Sequence, residues 1–196
     1  YNNIDVVYKN DFICIVSLNR SPVNALSTEL LSDLMHIFDI LEKDNDLRVI
    51  ILNSNLNHFS AGADLKQRSI MDKEDSENAL NIFKDCYNSI ESSSKITICS
   101  IKGYCLGGGA EMSLCFDLRI ASETAIIGFP EVSIGIIPGA GGTQRLPRII
   151  GLSNAKYWIY TAKKFNAKEA LNHGVIDYIC KKSELFNESI KFSNII

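Results

Sequence analysis

What this 196-residue sequence lacks narrows its function before any motif is considered. No apolar run is long enough to span a bilayer, which leaves no candidate helical membrane span within it. Neither charge sign dominates: 20 Lys and Arg face 23 Asp and Glu, a formal charge of −3. That balance argues against a surface dedicated to nucleic acid. The six cysteines (14, 86, 99, 105, 115 and 180) form no CxxC pair. Five lie in apolar segments and Cys105 sits inside a glycine stretch, so reduced, mostly buried thiols are expected. Three histidines, at 36, 58 and 173, are neither paired nor spaced with cysteines as metal ligands, and no metal site is expected. G-x-S-x-G, G-x-x-x-x-G-K-[ST] and G-x-G-x-x-G are all absent. Serine-hydrolase, P-loop and dinucleotide-binding readings therefore fail. No signal-peptide pattern opens the chain, and a start at Tyr1 rather than methionine leaves a removed targeting segment open.

What is present fits one globular domain, with 46% hydrophobic and 22% charged residues. Residues 4–8 and 12–18 read as a β-hairpin. Ser27 caps a helix running to Lys43, with Leu30, Leu31, Leu34, Phe38 and Leu41 at helical spacing. Residues 48–53 form a strand, 69–75 a polar loop, and 75–93 a helix burying Ala79, Ile82, Phe83, Cys86 and Ile90. A strand at 96–101, a short helix at 108–115 and strands at 118–121 and 125–129 follow. Beyond them come helices near 142–150, 153–161 and 167–172, a β run at 175–180, and a helix begun after Ser183. Strand-then-helix order with continuous apolar strands predicts an α/β fold with helices against the sheet. The closing apolar residues, Ile190, Phe192, Ile195 and Ile196, call for a cover from a neighbour or further sequence.

Chemistry concentrates in Gly103–Glu111, GYCLGGGAE, directly after the strand at 96–101. Three consecutive glycines weaken a helix interior, so their use is close backbone approach to a ligand where helix N–H groups are free. A second stretch answers it: Phe129-Pro130-Glu131 leads into Gly139-Ala140-Gly141-Gly142. Either glutamate alone could cap a helix. Two carboxylates beside two separate strand-end glycine segments suggest divided proton-donor and water-activating roles, with pKa values tuned apart by burial and repulsion. Small residues at Ser60-Ala61-Gly62-Ala63-Asp64 also follow a strand, where a tight strand-to-helix turn is the competing reading. His36 reads as a surface or boundary residue, and His58 has no credible nucleophile partner.

These motifs together resemble the crotonase superfamily, most closely its enoyl-CoA and methylglutaconyl-CoA hydratases. The match runs from about Phe12 to Leu185 through Asn24-Ala25-Leu26, SAGADLK at 60–66, GYCLGGGAE, and FPEVSIGIIPGAGGTQRLPR at 129–148. The resemblance implies an α/β fold, a spiral of ββα repeats, with a core domain over 1–182. Residues 183–196 would be the start of a truncated C-terminal helical region. It implies an oxyanion hole from the N–H groups of Ala63 and Gly108, catalytic Glu111 and Glu131, and a supporting Gly139. Coenzyme A would lie along Ala25, Leu26, Ala61, Asp64, Leu65 and Lys66. The implied activity is reversible addition of water to a 2-enoyl-CoA thioester. Methylglutaconyl-CoA hydration, enoyl-CoA isomerisation and non-catalytic coenzyme A binding are the alternatives. No cofactor is implied, coenzyme A being part of the substrate. A homotrimer or dimer of trimers is implied, in the mitochondrial matrix or another organelle, with the cytoplasm as alternative. The RNA binding of one homologue is not carried over, because the first helix is acidic at Glu29, Asp33, Asp39, Glu42 and Asp44.

Overall fold

The computed structural model describes residues 1–195. Strands β1 (Ile4–Asn10) and β2 (Ile13–Leu18) form the expected hairpin, its turn closed by Asn10 Oδ1 accepting from the N–H groups of Phe12 and Ile13. β3 (Val49–Ser54), β4 (Ile96–Ile101), β6 (Leu118–Ser122) and β9 (Tyr178–Cys180) complete a six-stranded sheet, order β1-β2-β3-β4-β6-β9. Only β1 runs antiparallel to its neighbour. The parallel strands are apolar on both faces because both faces are covered. Val16, Leu18, Ile50, Leu52 and Ile101 point toward helices α1 (Thr28–Glu42) and α3 (Lys73–Glu91). Alternate residues Ile13, Val49, Ile51, Ile98 and Ile120 point the other way, toward α8 (Leu185–Ile195).

α1 starts where Ser27 Oγ accepts from Leu30 N–H, and buries Leu30, Leu31, Leu34, Ile37, Phe38 and Leu41. A cap contributes about 1 kcal/mol, against about 1.5–3 kcal/mol for each fully buried aliphatic side chain. The cap sets the boundary and burial holds the helix. α3 begins at an Asp72 cap, slightly earlier than its apolar face suggests, because its first turn is polar and exposed.

A second, three-stranded sheet holds β5 (Tyr104–Leu106), β7 (Ile126–Gly128) and β8 (Lys164–Asn166), in the order β5-β7-β8. Isolated bridges Ser60↔Cys105 and Leu26↔Ala63 extend the same layer. Each repeat sends one strand into the large sheet and a short extended piece into this layer before its helix. That alternation is the ββα spiral. α4 (Gly108–Ser113) follows β5, and α5 (Gly142–Ile150) follows β7 after a 3₁₀ turn at Glu131–Ile134. α6 (Leu152–Thr161) and α7 (Ala167–Asn172) flank β8, and the four-residue α2 (Leu65–Arg68) directly follows the expected small-residue turn at 60–64.

Further details differ from the sequence reading: Lys164–Asn166, between two expected helices, is strand β8. Tyr104–Leu106, within the glycine stretch, is a strand. Val175 and Ile176 are buried but precede β9 rather than belonging to it. Ile190 and Phe192 are not left uncovered: they pack on the outer face of the sheet, and Phe192 meets Tyr178 with ring centroids 5.1 Å apart. Ile195 is exposed, and Ile196 lies outside the described residues. All six cysteines are free and buried, as their apolar settings require.

Candidate active site

The layer of short extended pieces gathers the glycine motifs around one cleft of about 630 Å³. Ala61, Gly62, Ala63 and Leu65 form one side; Gly107, Gly108 and Glu111 another; Pro130, Glu131, Gly139 and Ala140 a third. Leu80, Phe83, Ile134, Ile136 and Ile137 make the rest strongly apolar. A larger groove of about 950 Å³ lies between β1–β4 and the start of α8. It contains neither glutamate nor any of the glycine motifs, so the smaller cleft is the candidate site.

Asn24 sets the first side. It is fully buried at φ 50°, a left-handed conformation that asparagine tolerates better than most residues. Its Nδ2 reaches Ser54 Oγ and the carbonyls of His58 and Phe59 at 2.8–3.1 Å, so it fixes the chain entering Ser60. Ser60 then donates from its hydroxyl to the Asn24 carbonyl at 2.7 Å. Leu26 N–H bonds the Gly62 carbonyl and Asp64 N–H bonds the Leu26 carbonyl. Ala63 between them keeps its N–H without an acceptor among the described residues.

Gly107 and Gly108 start α4 beside this loop. Gly107 has φ +52°, and a Cβ there would lie 3.1 Å from Glu131 Oε1. Only glycine permits both the turn and the carboxylate's approach. Tyr87, wholly buried, donates to the Gly108 carbonyl at 2.6 Å. The Gly108 N–H has no acceptor among the described residues. Its nitrogen lies 3.4 Å from the Cβ that Gly62 would carry, so the two strand-end loops abut.

The two carboxylates occupy different environments. Glu111 is 3% exposed, and its Oε1 accepts from the N–H groups of Ala140 and Gly142 at 2.9 and 2.8 Å. Burial pushes its pKa above the ordinary carboxylate range, opposed by those N–H groups, the Arg145 charge and the Gly139 N–H. Glu131 has no such cradle. Its Oε2 is buried without a partner among the described residues. Burial, with the Glu111 charge in support and its own backbone N–H opposing, raises its pKa to about 7. One carboxylate is held by backbone donors; the other has an oxygen buried without a partner among the described residues.

Of the residues singled out in the sequence, Ala61, Ala63, Leu65, Gly108, Glu111, Glu131 and Gly139 line this cleft together. Ala25, Leu26, Asp64 and Lys66 do not. Leu26 is buried beneath Gly108, Lys66 is exposed on α2, and the Ala25 carbonyl accepts from Arg20 Nη1. Asp64 caps α2 by accepting from Lys66 and Gln67 N–H, and pairs with Arg20 at 2.6 Å. Its role in the fold is therefore already filled. His58 stacks on Tyr104 and accepts from the Tyr104 N–H, in agreement with a structural role. Sequence reasoning missed the Ala140 and Gly142 donors; the PGAGG run that supplies them was the available signal. Among the described residues no group of three or more His, Cys, Asp or Glu could hold a metal ion, and no helix is long and apolar enough to cross a membrane.

Comparison with known proteins gives the family. Residues 8–195 match the family model described as enoyl-CoA hydratase/isomerase. A probable mitochondrial enoyl-CoA hydratase 2 of Arabidopsis thaliana is 41% identical over 184 residues, covering 92% of this chain and 61% of that one. Human mitochondrial methylglutaconyl-CoA hydratase is 38% identical over 178 residues, covering 90% of this chain and 52% of that one. The chain thus spans between half and two thirds of these two curated relatives. The crystal structure of a Bacillus anthracis enoyl-CoA hydratase superimposes with a TM-score of 0.96 at 38% identity, covering 98% of this chain and 76% of that one. With the ββα spiral, the paired glutamates and a match across almost its whole length, the chain belongs to the enoyl-CoA hydratase/isomerase family.

Proposed function

We propose that this protein adds water reversibly across the double bond of a 2-enoyl-CoA thioester. The carrying observation is the pairing, in one apolar cleft, of two buried, differently hydrogen-bonded glutamates with two N–H groups that have no acceptor among the described residues. The thioester oxygen lies between the N–H groups of Ala63 and Gly108, which stabilise the negative charge that grows on it as the enolate forms. Glu111, its carboxylate fixed by Ala140 and Gly142, takes a proton from water while the water oxygen bonds Cβ. Glu131, protonated below about pH 7, delivers its proton to Cα, and exchange with solvent restores both groups. The apolar walls accept the acyl chain, and Ala61 and Leu65 lie where the coenzyme A arm enters. The test is loss of enoyl-thioester absorbance with crotonyl-CoA: turnover supports hydration, and its absence alongside turnover of a 3-enoyl-CoA assigns isomerisation instead.

The Glu131 environment gives this activity a pH dependence. With a pKa raised from 4.5 to about 7, Glu131 loses its proton as pH rises through neutrality, so hydration should fall above about pH 7. A Glu131→Gln variant should have lower activity throughout and lack that limb. Folding stability follows the same sign. A raised folded-state pKa gives a contribution fully present below about pH 4.5 and lost as pH rises through about 7. Thermal melts of wild type and Glu131→Gln across that window should converge at the acid end; parallel curves would contradict it.

The same reading includes the homotrimer or dimer of trimers implied by the family resemblance. Sedimentation at micromolar concentration should give a species several times 21.8 kDa, and a monomer alone would contradict it.

A further inference from the structure

The grip on Glu111 comes from a backbone loop, and one buried side chain holds that loop from behind. Arg145, on the first turn of α5, is 7% exposed and does not line the cleft. Its guanidinium makes four hydrogen bonds. Nη1 donates to the Ala140 carbonyl at 3.0 Å and Nη2 to Asn88 Oδ1 at 2.9 Å. Nε and Nη2 both donate to Glu91 Oε2, at 3.0 and 2.6 Å. Asn88 and Glu91 are one turn apart on α3, so Arg145 ties the loop before α5 to a neighbouring helix.

The point of attachment decides what this does. Ala140 donates its N–H to Glu111 Oε1 at 2.9 Å, and its carbonyl accepts from Arg145. The residue that grips the glutamate is itself gripped. Next to it, Gly141 takes φ +108°, and a Cβ there would collide with Nη1. The guanidinium therefore packs against the bend that sets the Ala140 and Gly142 N–H groups side by side. We infer that Arg145 is a positioning residue: by fixing the Ala140 carbonyl, it aims two backbone donors at Glu111 Oε1 and so orients that carboxylate in the cleft. This rests on Glu111 being the base proposed above.

The bland alternative is a fastener between α3 and α5. The Glu91 pair alone would serve that purpose, without a bond to Ala140. A planar fork that reaches a carboxylate on one side and a carbonyl on another is also something a lysine ammonium cannot reproduce. The other titratable groups near Glu111 are Glu131, Tyr87 and Cys115; burial keeps the last two protonated.

The experiment compares wild type, Arg145→Gln and Arg145→Lys, with Glu111→Gln used to assign the Glu111 carboxyl resonance by NMR. Positioning requires the Glu111 titration to move upward in Arg145→Gln. It also requires kcat with crotonyl-CoA to fall about 10–100-fold while KM stays within about threefold, with Arg145→Lys between the two. A folded Arg145→Gln protein with unchanged Glu111 titration and unchanged kcat overturns the inference. So does a kcat loss equal to the fraction unfolded. If Arg145→Gln does not fold, Arg145→Lys decides: lower kcat at an unchanged melting temperature supports positioning, and full kcat overturns it. If wild type shows no hydration, the hydratase reading fails, while the Glu111 titration in Arg145→Lys, which keeps the charge, still decides the role of Arg145: an upward shift supports positioning and an unchanged titration overturns it.

Discussion

Replacing Glu111 by Gln should lower hydration of a 2-enoyl-CoA by about 10²–10⁴-fold, with little change in melting temperature. Glutamine keeps the size of the side chain, and its amide oxygen can still accept from the Ala140 and Gly142 N–H groups that hold Oε1. Relieving a buried charge also offsets any loss of hydrogen-bond strength. What disappears is the capacity to take a proton, so the loss should fall on kcat rather than KM. Glu131→Gln should also be severe, because the proton for Cα comes from that group. The double variant should be less impaired than the product of the two single losses, since both carboxylates serve one addition step as a unit. Steady-state kinetics on the four proteins checks this. Multiplying losses would mean that the glutamates act independently.

Ala63→Pro should cost about 10²–10³ in rate. The change removes an N–H and nothing else that the native hydrogen bonding uses, because that N–H has no protein acceptor among the described residues. Ala63→Ser retains the donor and should stay within a few-fold of wild type. Proline also restricts the residue before it, and Gly62 sits at φ +96°. Circular dichroism and melting must therefore show the variant folded. A folded Ala63→Pro protein with full activity would remove this donor from the mechanism.

Much of this was legible because the chemistry and the fold share the same residues. The apolar strands, the Ser27 cap and the strand–glycine–helix order pointed to an α/β fold, the family resemblance supplied the ββα spiral, and two glutamates beside separate glycine runs marked the cleft. Short elements were harder. β5 and β8 have three residues each, too few for a period to show, and each is held by neighbours distant in sequence. Asn24 read as part of a motif, yet its work is to anchor Ser54, His58 and Phe59, and no local pattern reveals that reach. Nothing local, between Gln144 and Leu146, marks Arg145 as buried. Its burial depends on Asn88 and Glu91, 57 and 54 residues earlier. Spacing along the chain shows which residues share a helix face; it does not show which helices meet.

The most direct measurement is the absorbance of crotonyl-CoA incubated with wild type and Glu111→Gln at equal folded concentration. Wild type should consume the conjugated thioester to the same equilibrium from either direction, and Glu111→Gln should do so at least about 100 times more slowly. Wild type that leaves crotonyl-CoA untouched while converting a 3-enoyl-CoA, with Glu111→Gln nearly as fast, would contradict the hydratase assignment.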